Sequence, residues 1–139
     1  QMGCRILVVD PYNYIELSKG GKETDEISAL LTKVQQWAKS HDAHVFFIAR
    51  PTKVGSDGRN QKIVPTGNDV SGSAAWYAKA DLGWTLWRDP HDIDPPEVHI
   101  WKIRWSWIGN HGVCPLKFDR DIGVWSDYVP SADNDDWDF

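Results

Sequence analysis

Four consecutive aliphatic residues, Ile6, Leu7, Val8 and Val9, are bounded by Arg5 and Asp10. An unbroken apolar run of this length predicts a short strand buried on both faces, the kind found inside parallel sheets. The stretch His44-Val45-Phe46-Phe47-Ile48-Ala49 repeats the pattern. Between the two, Ile27, Leu30, Leu31, Val34, Trp37 and Ala38 fall at helical spacing and form one apolar stripe. Thr24 offers an N-cap, Asp25 and Glu26 occupy the first turn, and Lys39 lies near the C-terminal end, as the helix dipole favours. Strand, helix and strand in this order predict a right-handed βαβ unit with parallel strands. That unit sets the two strand ends, Asp10 and Ala49-Arg50-Pro51, side by side.

The pattern then changes. Residues 52–68 show no periodicity and carry Gly55, Gly58, Gly67 and Pro65 among Lys53, Arg59 and Lys62. So long a glycine-rich excursion is either a solvated loop or a functional one. Small residues over 71–80 predict a short helix closed by Asp81, and 82–88 predict a third strand. Residues 97–105 alternate: Val98, Ile100, Lys102 and Arg104 on one face, His99, Trp101, Ile103 and Trp105 on the other. Two cations ending an apolar face need a rim, an acid such as Glu97 or Asp119, or a ligand phosphate. Turns at 109–112 and 119–121 separate further strands over 113–118 and 123–128.

Composition narrows the class. A chain of 139 residues with 41% hydrophobic and 25% charged residues suits one globular domain. Nine tryptophans, mostly in the second half, suit strands packed through indole surfaces. Cys4 and Cys114 form no metal-ligand spacing and read as two buried, reduced thiols. The histidines His41, His44, His91, His99 and His111 show no zinc-binding spacing. No run approaches a membrane span and no signal-peptide pattern occurs, so a soluble cytoplasmic protein with no membrane partner is expected. The net charge of -5 is misleading, because Asp133, Asp135, Asp136 and Asp138 crowd the last seven residues and the rest is near balance.

Asp10 carries the first chemical question. A carboxylate at the carboxyl edge of a buried strand sits where open α/β sheets place ligands, yet Asp-Pro is also a common turn start. Both readings stand on spacing alone. Lys102 and Arg104 pose the same choice between a strand-end ion pair and a phosphate contact.

Taken together, these motifs resemble the C-terminal half of the RecA-like domain in DnaB/Twinkle-like ring helicases, closest to the primase-helicases of T-odd phages. The resemblance spans about residues 6–128. Its most specific stretch is Lys102-Ile103-Arg104 followed by Gly109-x-x-Gly112-Val113-Cys114-Pro115-Leu116-Lys117-Phe118-Asp119. It implies an α/β fold: half of a P-loop ATPase core, a parallel sheet with one long crossover helix, extended by antiparallel C-terminal strands. Residues 1–128 would form this partial core and 129–139 a disordered acidic tail.

By the same resemblance Asp10 is the Walker B carboxylate, acting on Mg²⁺ through water beside ATP or dTTP. Arg104 is the arginine finger reaching a neighbouring subunit's nucleotide, and Lys102 its companion. Arg50 stands where the family carries a His or Gln phosphate sensor. Lys53, Arg59 and Lys62 lie in the place of the loop that contacts single-stranded DNA in the channel of a homo-hexamer. Residues 133–139, with Trp137 and Phe139, resemble the acidic tail that docks on a replicative DNA polymerase. No G-x-x-x-x-G-K-[ST] motif occurs in the sequence. The expectation is therefore a fragment or truncated product of a phage or prophage replicative helicase that does not hydrolyse NTP alone. The alternative is a non-catalytic RecA-half module that binds single-stranded DNA or a replication protein.

Overall fold

Strands β1 (Ile6–Val9) and β2 (His44–Phe47) pair in parallel, in step from Ile6 opposite His44 to Val9 opposite Phe47. Helix α1 (Glu23–Ser40) connects them. The computed structural model describes residues 3–12, 15, 22–52, 63–70, 74–88 and 95–129. The pairing runs past the strands, through Ile48 N–H to Val9 O at 2.9 Å and Tyr12 N–H to Ile48 O at 3.0 Å. The ends of the two strands thus lie side by side, as the βαβ order predicts.

Helix α1 begins at Lys22 as N-cap, which makes no side-chain capping bond, and Thr24 lies within the first turn instead of capping it. Glu23, Asp25 and Glu26 there face the positive end of the dipole, which supplies the stabilisation a cap would otherwise give. The predicted stripe meets the core through Ile27 and Leu31, which are buried together with Tyr12 and Trp76. Val9, Phe47, Ala49, Val70 and Ala75 pack around them. Trp76 closes the cluster, with ring centroids 4.5 Å from Tyr12 and 5.6 Å from Phe47.

Burial of β1 on both faces is not observed. Leu7 and Val9 share a face with Val45 and Phe47, and Val9 and Phe47 reach the core. The opposite face leaves Ile6 65%, Val8 55%, Phe46 38% and Ile48 41% exposed. A single crossover helix covers only one face of a sheet, and no second layer lies on the other among the described residues.

The short helix α2 (Ala75–Lys79) occupies part of its predicted span, and 71–73 lie outside the described residues. Lys79 ties it to α1 by donating from Nζ to Ser28 O at 2.8 Å and to Thr32 Oγ1. Gln35 Nε2 returns a bond to Lys79 O at 2.6 Å. Before α2, the end of the segment without periodicity runs into a 3-10 turn, Gly67–Asp69. Its Thr66 and Asp69 cap each other, Asp69 Oδ2 accepting from Thr66 N–H at 2.7 Å.

Strands β3 (Leu82–Trp87), β4 (Glu97–Ile103), β5 (Gly112–Asp119) and β6 (Val124–Asp127) make one antiparallel sheet in that order. The register shifts between Gly83 and Trp84: Gly83 faces Lys102, whereas Trp84 faces Ile100. Trp101 is the extra residue of this bulge. Its indole fills the space above Gly83, stacks on Tyr77 at 5.4 Å and donates to Thr85 Oγ1 at 3.0 Å. Thr85 in turn donates to Pro65 O at 2.6 Å.

Both cysteines are exposed, contrary to the expectation of buried thiols. Cys4 precedes β1, and Cys114 stands opposite Val98 on the sheet face that also carries exposed Trp84 and Leu86. No described element covers that face. No described helix is long and apolar enough to cross a membrane.

Candidate functional site

Two sets of residues carry chemistry. The first gathers where β1 and β2 end. Asp10 follows β1 in a bend, is exposed, and makes no hydrogen bond or ion pair with another described residue. Its peptide bond to Pro11 is cis and the chain turns there, with Ile15 N–H bonding Tyr12 O at 2.8 Å. The turn therefore coexists with a carboxylate that has no partner among the described residues. Arg50, also exposed, follows β2 at the same sheet edge.

Just beyond it, Pro51 bridges Val70 in antiparallel fashion, and Thr52 bonds Asp69 O through its N–H at 2.8 Å and its hydroxyl at 2.7 Å. These contacts fasten the two ends of the glycine-rich excursion together next to β2. Lys53, Arg59 and Lys62, expected to meet DNA, lie outside the described residues, as do Trp137 and Phe139 of the tail.

The second set joins β4 to the C-terminus of α2. Strict alternation puts Lys102 and Arg104 on the face of Val98 and Ile100. The bulge at Trp101 reverses this and turns Lys102 to the face of Gly83, toward α2. Lys102 Nζ donates to Ala78 O at 3.1 Å and to Tyr77 O, and lies 4.9 Å from the Tyr77 ring centre. Arg104 comes one residue after β4 ends, so the strand is shorter than predicted, but its cation points the same way. Its Nη2 donates to the carbonyls of Ala78 at 3.1 Å, Lys79 at 3.3 Å and Ala80 at 3.3 Å. Two cations thus meet the carbonyls that a helix C-terminus leaves unpaired.

The acid beside Arg104 is neither Glu97 nor Asp119. Glu97 pairs with His99 at 2.6 Å, and Asp119 Oδ1 accepts from Asp121 and Ile122 N–H at 2.9 and 3.2 Å. Asp81 takes the place, with Oδ1 2.6 Å from Arg104 Nε. From the sequence alone Asp81 is only the residue that closes a short helix. Burial, then the nearby Arg104 charge, lower the Lys102 ammonium below the usual lysine range, and Asp81 partly opposes this. Arg104 also lines an open cleft of about 330 Å³ with Trp105, Trp107, Asn110 and His111.

No group of three or more His, Cys, Asp or Glu residues that could hold a metal occurs among the described residues. A strand-edge carboxylate whose oxygens have no partner among the described residues suits Mg²⁺, which keeps most of its waters and takes one or two carboxylates plus substrate phosphates.

No family model matches the sequence. The chain is similar to the Twinkle homolog protein, chloroplastic/mitochondrial, of Arabidopsis thaliana, with 33% identity over 132 residues. The match covers 90% of this chain and 18% of that relative, so the chain spans less than a fifth of its length. The likeness falls on the Twinkle side of the resemblance and does not bear on the T-odd phage subtype.

Proposed function

We propose that this chain is the C-terminal half of the RecA-like motor of a DnaB/Twinkle-type replicative ring helicase. The observation that carries the reading is the likeness to the Twinkle homolog along 90% of the chain.

In this reading Asp10 is the Walker B carboxylate. Its carboxylate at the sheet edge would hold waters of Mg²⁺, and the metal would supply charge neutralisation on the phosphates of ATP or dTTP. Arg50 stands at the same edge, within reach of a role as phosphate sensor. Arg104 acts in trans, its planar guanidinium offsetting charge on the phosphoryl group of a neighbouring subunit, with Lys102 as a second, partly desolvated cation. Because the chain turns back beside β2, Lys53, Arg59 and Lys62 belong to an excursion rooted next to the nucleotide edge. That placement suits contacts to the backbone of single-stranded DNA in a hexamer channel. The acidic tail with Trp137 and Phe139 has the composition of a short ligand for the basic surface of a replicative polymerase, and a phage or prophage origin accords with such a tail.

The test is made in the full-length protein. Arg104→Ala should lower DNA-stimulated NTP hydrolysis by about 10³-fold or more while nucleotide binding stays close to that of the wild type. Arg104→Lys should not restore the rate, since an ammonium lacks the planar fork. Hydrolysis that survives Arg104→Ala would overturn the assignment.

A further inference from the structure

Arg104 is held along one side only. Nε pairs with Asp81 at 2.6 Å, and Nη2 is spread over the carbonyls of Ala78, Lys79 and Ala80. The main chain repeats the grip, Arg104 N–H donating to Asp81 O at 2.9 Å. Nη1 has no partner among the described residues, and the side chain as a whole is 38% exposed beside the open cleft. A guanidinium fixed along its Nε–Nη2 edge keeps one orientation and, among the described residues, one end without a partner.

We propose that Asp81 is the positioning residue for Arg104, locking the guanidinium against the C-terminus of α2 so that its Nη1 end is presented to a phosphate on the neighbouring subunit. This rests on Arg104 acting in trans. An alternative geometry, in which Asp81 withholds Arg104 from its target, would require the whole guanidinium to be consumed, and Nη1 has no partner among the described residues. The ion pair itself is half exposed, with side-chain exposures of 38% and 41%, so it contributes little to folding. Preorganisation is the effect left for it to supply: an arginine on a flexible stem loses transition-state contact when its orientation is released.

The test uses full-length rings. Asp81→Asn should lower DNA-stimulated turnover about tenfold or more, with the KM for nucleotide and the melting temperature nearly unchanged. Asp81→Glu, which keeps the charge, should restore most of the loss. In rings mixed from Asp81→Asn and Asp10→Asn subunits, turnover should rise above that of either parent, because an intact Arg104 from one subunit serves the intact Asp10 of the next. Mixed rings that show no recovery, or Asp81→Asn rings that hydrolyse as fast as or faster than wild type, overturn the proposal. A parallel mixture of Arg104→Ala with Asp10→Asn separates the two layers of argument. If that mixture also fails to recover, Arg104 does not act in trans. If it recovers and the Asp81 mixture does not, only the role of Asp81 is wrong.

Discussion

Gly83 stands opposite Lys102 with the Trp101 indole directly above it, and a Cβ built there would overlap the Trp101 ring. The ring cannot easily withdraw. It is stacked on Tyr77 and its Nε1 is bonded to Thr85. Gly83→Ala should therefore cost about 1–3 kcal/mol by overpacking, read as a lower urea midpoint with an unchanged slope. A neutral result would mean that Trp101 does not occupy that space. The sequence shows a glycine inside a strand, and such a glycine often marks a bulge or close approach. It does not show which residue of the facing strand is the extra one. That detail decides where Lys102 points, and it is why alternation assigned the cations to the wrong face. The place of Asp10 at the end of β1 is legible because it depends only on neighbours along the chain. Asp81 is not, because its meaning depends on Arg104, 23 residues later and beyond the bulge.

Elements whose pattern comes from one face were read well. Helix α1 shows its apolar stripe at helical spacing, and Ile27 and Leu31 are the residues it buries. The strands of the antiparallel sheet differ from expectation by one or two residues at their ends, where pairing partners set the limit. What the local pattern could not give is the tie between elements. Thr85 on β3 accepts from Trp101 on β4 and donates to Pro65, so one hydroxyl joins two strands to the segment leading into α2. Thr85→Val keeps the shape and removes both bonds, leaving an indole N–H and a carbonyl unpaired in a half-buried place. The expected loss is about 1–3 kcal/mol. Amide hydrogen exchange should quicken across β3 and β4 while β1 and β2 stay protected until global opening. Equal loosening of the parallel pair would show that the two sheets open as one unit.

Taken whole, the molecule has its buried cluster between α1, α2 and one face of the β1–β2 pair, and an apolar surface on the other face of that pair. A continuous aliphatic run tells that a strand is compatible with burial on both sides, but not that two layers are present to cover it. The register converts this into a sharp comparison between adjacent residues. Val8 lies on the exposed face, 55% exposed and opposite Phe46, whereas Val9 packs against the core cluster from the other face. In the 139-residue chain, Val8→Lys should change stability by no more than about 1 kcal/mol, the span of strand propensity. It should also lower apolar-dye fluorescence, and any light scattering on concentration, relative to the unsubstituted chain, because it places a charge on an open apolar strand. Val9→Lys places the same charge among Phe47, Ile27 and Trp76 and should cost several times as much, since a buried unpaired charge finds no partner there. If the two substitutions destabilise alike, Val8 is covered in solution and the outward face of the β1–β2 pair is not open. If Val8→Lys alone abolishes scattering while the fold holds, the exposed face is the source of the association.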